Sequence, residues 1–314
     1  MNTANTLASR AAATAPLVIV LTDGGPVIGL GHLGRCLAIW EELDGRAAFA
    51  GEGLGSANML AERGVAVVAA SAPAPVVLID RPKPTGVDEV ARLHAEGRRV
   101  CLLDDPGDGR ANADLVIDPP TGLAWPRAGG RRLAGFEHVL LRRDVREAAG
   151  HPRSAVDVLL SMGGSDPEGL TPVLAQALQA AGASVLSVLG PAYRGPAPVG
   201  EVLENPDDWP GALAGARLLV GRFGHTLLEA AHLGTPALAV ATSERAGEEA
   251  QAFGANGTAD AIRVHGVDDA GGVAERALAL RADPTRLAAM AARGRELVDG
   301  HGAARVAAAL LELA

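Results

Sequence analysis

Three glycine-bearing stretches of this chain set reactive or hydrogen-bonding side chains beside backbone able to lie open to a ligand. The first reads Gly29-Leu30-Gly31-His32-Leu33-Gly34-Arg35-Cys36. An apolar run ends at Leu21, about eight residues of loop follow, and a helix is predicted from about Gly31. His32 therefore sits at a helix N-terminus. The partial positive charge there disfavours imidazolium, so a neutral imidazole able to accept a proton is expected. Arg35 lies one turn on, on roughly the same face.

The second stretch, Ser161-Met162-Gly163-Gly164-Ser165-Asp166-Pro167, follows the apolar run ending at Leu160. Paired glycines let backbone amides approach an anion closely, and the Ser165 hydroxyl adds a donor. The third, Gly221-Arg222-Phe223-Gly224-His225-Thr226-Leu227-Leu228-Glu229, repeats the order of strand, glycine loop and helix. Thr226 can cap that helix or bind phosphate, and Glu229 can accept hydrogen bonds from ribose hydroxyls or simply complement the helix dipole. Acids at strand ends form a fourth group, Asp80 and the pair Asp104-Asp105. They could orient His32, bind sugar hydroxyls or shape turns. No spacing of His, Cys, Asp or Glu argues for a metal, and no metal or other cofactor is expected.

A rival reading uses the first letters differently. Gly29, Gly31 and Gly34 satisfy G-x-G-x-x-G, and Glu52 closes a predicted strand 18 residues later, where a dinucleotide fold keeps its ribose acid. That fingerprint should follow its strand directly, whereas a long loop intervenes here. Plain turn glycines around a structural histidine are the other alternative.

Strands are predicted at 17–21, 46–50, 65–69, 76–80, 99–103, 115–117, 138–141, 156–160, 184–189, 217–220 and 237–241. Helical stretches fall at 32–43, 56–63, 87–96, 171–181, 225–233, 245–253, 272–281, 284–298 and 302–313. Fully apolar strands alternating with helices predict parallel sheets covered on both faces. Thr171 before Pro172 reads as an N-cap, and Gly234 as a helix stop. Leu33, Leu37 and Trp40 recur on one helical face.

The 314 residues suit two α/β domains. The chain reads as a small polar tail at 1–15, a first domain at 16–145 and a second at 155–314, with a charged stretch between. Apolar residues are 48%, charged residues 21% and aromatics only 3%, so Ala, Val and Leu must build the cores. The net charge of −9 argues against nucleic acid or an anionic membrane as partner. The run Leu17–Leu21 is far shorter than the roughly 20 residues a membrane span needs. Cys36 and Cys101, too few for a disulfide framework, are expected to be buried thiols of a cytoplasmic protein.

Taken together, Gly29-x-Gly31-His32-x-x-Arg35-Cys36, Ser161-Met162-Gly163-Gly164-Ser165-Asp166-Pro167 and Asp299-Gly300-His301-Gly302-Ala303-Ala304-Arg305-Val306 resemble the UDP-sugar hydrolases of pseudaminic acid biosynthesis. The wider group includes glycosyltransferases of spore-coat polysaccharide synthesis and, more distantly, the lipid-II-forming N-acetylglucosaminyltransferase. The similarity runs from about 17 to 313. It implies an α/β protein of GT-B fold, two Rossmann-like domains facing each other across a cleft with the nucleotide held mainly by the second.

In that family the loop histidine activates water, which displaces UDP from the anomeric carbon with inversion; the matching residue is His32. Gly29, Gly31, Arg35, Asp80 and Asp105 are the candidate residues on the sugar side. The resemblance sets Gly163, Gly164, Ser165, Gly224, His225, Thr226 and Glu229 around the nucleotide and diphosphate. Departures lie at Arg222-Phe223, where the family usually has small residues, at 242–249, and in the loop Arg81-Pro82-Lys83-Pro84.

The expected function is hydrolysis of a UDP-amino or deoxy sugar. The alternative is transfer of the same sugar to an alcohol or amine, and an NAD(P)-dependent oxidoreductase or a non-catalytic nucleotide-sugar sensor ranks below both.

Overall fold

Uninterrupted burial of Val18, Ile19, Val20, Leu21 and Thr22 makes β1 (Val18–Thr22) an inner strand, with both faces covered as parallel sheets require. The computed structural model describes residues 15–24, 31–54, 60–61, 63–118, 120, 126–149 and 156–314. Gly29 and most of the helical stretch expected at 56–63 lie outside the described residues.

After β1 come α1 (Gly31–Glu42), β2 (Ala47–Ala50), β3 (Val76–Asp80), α2 (Val87–Ala95), β4 (Arg99–Leu103), β5 (Leu115–Asp118) and β6 (Arg131–Ala134). A short helix α3 (Arg143–Glu147) precedes β7 (Val156–Ser161), α4 (Leu170–Ala180), β8 (Val185–Leu189), β9 (Glu201–Glu204) and α5 (Trp209–Gly215). Then follow β10 (Ala216–Arg222), α6 (His225–Leu233), β11 (Ala237–Ala241), α7 (Glu244–Gly254), β12 (Ala259–Arg263), α8 (Ala270–Arg281), α9 (Pro284–Leu297) and α10 (Gly302–Leu313).

The chain forms two units. Among the described residues the first holds the chain up to Pro120, 126–143 and Gly300–Ala314; the second holds Asp144–Asp299. The last helix thus belongs with the first unit, not with the second domain as expected from chain order. Its Ala303, Val306, Ala307 and Leu310 are buried in one core with Leu33, Leu37 and Ile39 of α1.

Sheet order in the first unit is β2-β1-β3-β4-β5-β6, all parallel. Beyond β2 the strand expected at 65–69 is reduced to a single parallel bridge, Phe49 to Val67. The second unit has the order β12-β11-β10-β7-β8-β9, again parallel. In each unit chain order reverses once, between β1 and β3 and between β7 and β10. At such a switch point the connecting loops diverge and leave a crevice at the carboxyl ends of the strands.

Several expectations need correction. The run 138–141 is no strand: Val139, Leu140 and Leu141 are buried after a 3-10 turn at Phe136–His138. An apolar run records burial, and burial here is reached without pairing. The neighbouring strand is β6, whose arginines are exposed. The N-cap of α4 is Gly169, with Thr171 already inside the helix. Gly234 does end α6, in the left-handed conformation at φ 70°.

Candidate active site

Asp80 is the last residue of β3, in register with Thr22 at the end of β1, and so stands at the switch point of the first unit. The helix α1 begins at Gly31 and carries His32 and Arg35 to the same place. His32 Nδ1 lies 2.6 Å from Asp80 Oδ1. An Arg35 Nη also lies 3.1 Å from Nδ1, but that nitrogen makes its shorter bond to Asp80 Oδ1. The closer, ionised carboxylate can only accept, which favours the tautomer with the proton on Nδ1 and the lone pair on Nε2. Among the described residues no hydrogen bond engages Nε2. His32 keeps 26% of its side chain exposed while Asp80 has none, so the carboxylate acts on a ligand only through the histidine.

Arg35 fixes that carboxylate. Its Nε donates to Asp80 Oδ2 at 2.7 Å, one Nη donates to Oδ1, and the other donates to Asp104 Oδ2 at 2.7 Å. The Cys36 thiol, one residue on, also donates to Asp80 Oδ2. Burial by itself would raise the Asp80 pKa; the Arg35 guanidinium and His32 outweigh it and bring the carboxyl from 3.8 down to about 2. Burial and the adjacent Asp80 carboxylate push the Cys36 thiol well up, so it stays protonated. Asp104 follows β4 directly and adopts φ 53°, a left-handed conformation Asp tolerates better than most side chains. That turn swings its carboxylate toward Arg35.

Asp80, expected either to orient His32 or to bind sugar hydroxyls, pairs with His32, and Arg35, expected on the sugar side, pairs with Asp80 and Asp104. Asp105 is not brought to this cluster: it is buried, and its carboxylate accepts the backbone N–H groups of Thr85 and Gly107. Asp104 takes the place foreseen for it, a distinction that depends on which of two neighbouring acids the left-handed turn aims inward.

In the second unit the switch point falls between Ser161 and Gly221, which are in register at the ends of β7 and β10. Gly163, Gly164 and Ser165 form the loop after β7, with Gly163 at φ 87°. The loop after β8 lies flush on Gly164, where a Cβ at Gly190 would come within 2.4 Å of its Cα. Asp166 turns its carboxylate onto the amides of Leu170 and Thr171, at 3.0 and 2.7 Å. That closes the α4 N-terminus to an external anion.

Gly224, His225 and Thr226 open α6, whose N-terminus carries no side-chain cap. Phe223 anchors this loop edge-on against Phe253 of α7, centroids 6.1 Å apart. Glu229 is buried, and its Oε2 accepts the Trp209 indole N–H at 2.8 Å, a partner no sequence spacing could reveal. Glu168 accepts from Arg222 and from the Thr242 hydroxyl, each at 3.0 Å.

The dinucleotide reading finds no support in the packing. The helix opens at Gly31, after residues 23–30, and a Cβ at Gly31 or Gly34 would meet nothing within 4 Å among the described residues. The close helix–strand packing for which this fingerprint needs its third glycine is therefore missing at Gly34. Glu52 is exposed, tied to the loop after β1 through its backbone alone. Among the described residues no group of three or more His, Cys, Asp or Glu could hold a metal ion, and no helix is long and apolar enough to cross a membrane.

No protein-family model matches the chain, and no curated protein matches it. Solved structures do. MurG of Acinetobacter baumannii is 15% identical with a TM-score of 0.64, over 95% of this chain and 100% of that one. The spinosyn rhamnosyltransferase SpnG complexed with thymidine diphosphate is 14% identical with a TM-score of 0.66, over 93% and 99%. The glycosyltransferase VinC in complex with dTDP is 14% identical with a TM-score of 0.61, over 94% and 99%. At these identities the likeness concerns the fold: the chain has the α/β GT-B fold.

Proposed function

We propose that this protein is an enzyme that cleaves the anomeric C–O bond of a nucleoside-diphosphate sugar and transfers the glycosyl group to a hydroxyl or amine acceptor. The observation that carries the reading is the buried Asp80 carboxylate 2.6 Å from His32 Nδ1, which leaves Nε2 as the proton acceptor. In the proposed step Nε2 removes the acceptor proton as the acceptor atom bonds to the anomeric carbon. The bond from that carbon to the diphosphate oxygen breaks with inversion, and the nucleoside diphosphate leaves. The imidazolium that forms sits against Asp80, whose charge is already in place.

Gly163, Gly164 and Ser165, with Gly224, His225 and Thr226, are the proposed diphosphate loops. Two neighbours of the same fold hold thymidine diphosphate, which supports a nucleoside diphosphate as the leaving group. The likeness in fold to the rhamnosyltransferase SpnG and the glycosyltransferase VinC supports transfer ahead of hydrolysis. Hydrolysis, with water as acceptor, is the second reading; it rests on the motif set around His32, Ser165 and Asp299.

Nucleotide release from a panel of UDP- and dTDP-sugars, with and without alcohol and amine acceptors, tests both. Release that requires an acceptor supports transfer, and equal release in its absence supports hydrolysis. His32→Ala is expected to lower kcat by roughly 10²–10⁴-fold with nucleoside-diphosphate affinity retained. A variant that turns over as fast as the parent would remove His32 from the mechanism.

A further inference from the structure

We propose that Arg222 is a diphosphate ligand held in reserve by Glu168, so that nucleoside-diphosphate binding exchanges a carboxylate for a phosphate on one guanidinium. The proposal rests on the nucleotide-sugar reading above and names a residue that reading does not use.

Topology puts Arg222 in the right place. It is the last residue of β10, immediately after Gly221, which pairs with Ser161 of β7 across the switch point of the second unit. A ligand of an open α/β sheet lies outside the carboxyl ends of those two strands. Glu168 sits in the loop that follows β7, a few residues beyond Gly163, Gly164 and Ser165. The Arg222–Glu168 ion pair, 3.0 Å long, therefore spans the crevice from one strand end to the other strand's loop.

The local charge makes the present partner a poor one for a loaded site. Asp166 has its carboxylate on the amides of α4, so that helix offers an anion nothing. Glu168 keeps its negative charge in the crevice, with Thr242 donating to its other oxygen. A diphosphate arriving there would face Glu168 unless the guanidinium turns from one to the other.

That turn is easy. Arg222 is 36% and Glu168 33% exposed, and an ion pair so open to water is worth little. A guanidinium on a phosphate makes two parallel charge-assisted bonds to a more highly charged partner. Thr242 can hold Glu168 back once the arginine has left. The pair thus keeps an anion-binding cation ordered at the crevice and lowers its affinity for anything less charged than a diphosphate.

The test is calorimetric titration of the full chain with UDP and dTDP, with uridine and thymidine as uncharged controls. Arg222→Gln is expected to weaken diphosphate binding by roughly tenfold or more while nucleoside binding stays within about threefold; Arg222→Lys restores part of the loss. Glu168→Gln, which removes the competing charge, is expected to tighten diphosphate binding several-fold. Thermal unfolding of each variant checks that the fold is kept, and Arg222→Lys carries the test if Arg222→Gln fails to fold.

Equal diphosphate affinity in Arg222→Gln and the parent overturns the proposal. So does a loss in Glu168→Gln as large as that in Arg222→Gln, since Glu168 would then support the site and not compete for it. A parent chain that binds neither diphosphate overturns the nucleotide-sugar reading itself, and this inference with it.

Discussion

Asp80 has no exposed surface and answers to His32, Arg35 and Cys36 at once, so changing it should separate orientation from charge. Asp80→Asn keeps the shape, leaves the partly buried Arg35 without its main counter-charge and lets His32 adopt either tautomer. Breaking a buried pair in this way costs about 3–5 kcal/mol, read in a denaturant titration, and kcat should fall while nucleoside-diphosphate affinity holds.

The same carboxylate sets an acid limit. Its folded pKa of about 2 lies below the ordinary 3.8, so its contribution to stability is complete above about pH 4 and is lost as pH falls toward 2. Acid titration of Asp80→Asn should show a flatter loss over that window than the parent. Cys36 and Cys101 are fully buried with raised pKa values, pushed there first by burial. Both are expected to resist a thiol reagent in the native protein and to react together in guanidinium. Of this cluster, residue type and helix position made His32 legible in sequence; the pairing of Arg35 with Asp80 and Asp104 joins residues 45 and 69 apart and was not.

Among the elements, the strands that escaped sequence reading share one trait. β6, β9 and β12 each end a strand order, and each leaves residues exposed, as in Glu201, Leu203 and Glu204 of β9. An edge strand is covered less than an inner one, so it need not show the apolar run by which β1, β3 and β7 announce themselves. Most helices show in their periodicity, the short α3 and α5 do not, and no helix shows its contacts.

Gly294 of α9 shows why contact matters: a Cβ there would come within 2.5 Å of the Ala231 carbonyl of α6. Gly294→Ala should therefore cost about 1–3 kcal/mol by forcing the two helices apart. Gly271→Ala and Gly272→Ala, in the exposed first turn of α8 where a Cβ meets nothing, should stabilise by about 0.4–1 kcal/mol each. Thermal unfolding of the three variants side by side distinguishes packing from propensity.

For the whole molecule the telling segment is the last helix. Its Val306 and Leu310 are fully buried in the first unit's core, each worth about 1.5–3 kcal/mol of burial. A chain ending at Asp299 should lose amide protection in β1, β3 and α1 while β7, β10 and β11 keep theirs, as hydrogen exchange would read. Loss spread equally over both units would contradict the division.

By itself the sequence determined the number of parallel-sheet units, the inner strands and most helices, because periodicity and apolar runs are local properties. It also determined where the glycine loops fall, and with them His32. The tertiary structure decided which unit receives the last helix, which acid of Asp104-Asp105 turns inward, and which carboxylates are already occupied by backbone amides or by Arg35 and Arg222. Those choices join residues far apart in the chain, and no local pattern records a partner that only folding brings within hydrogen-bond reach.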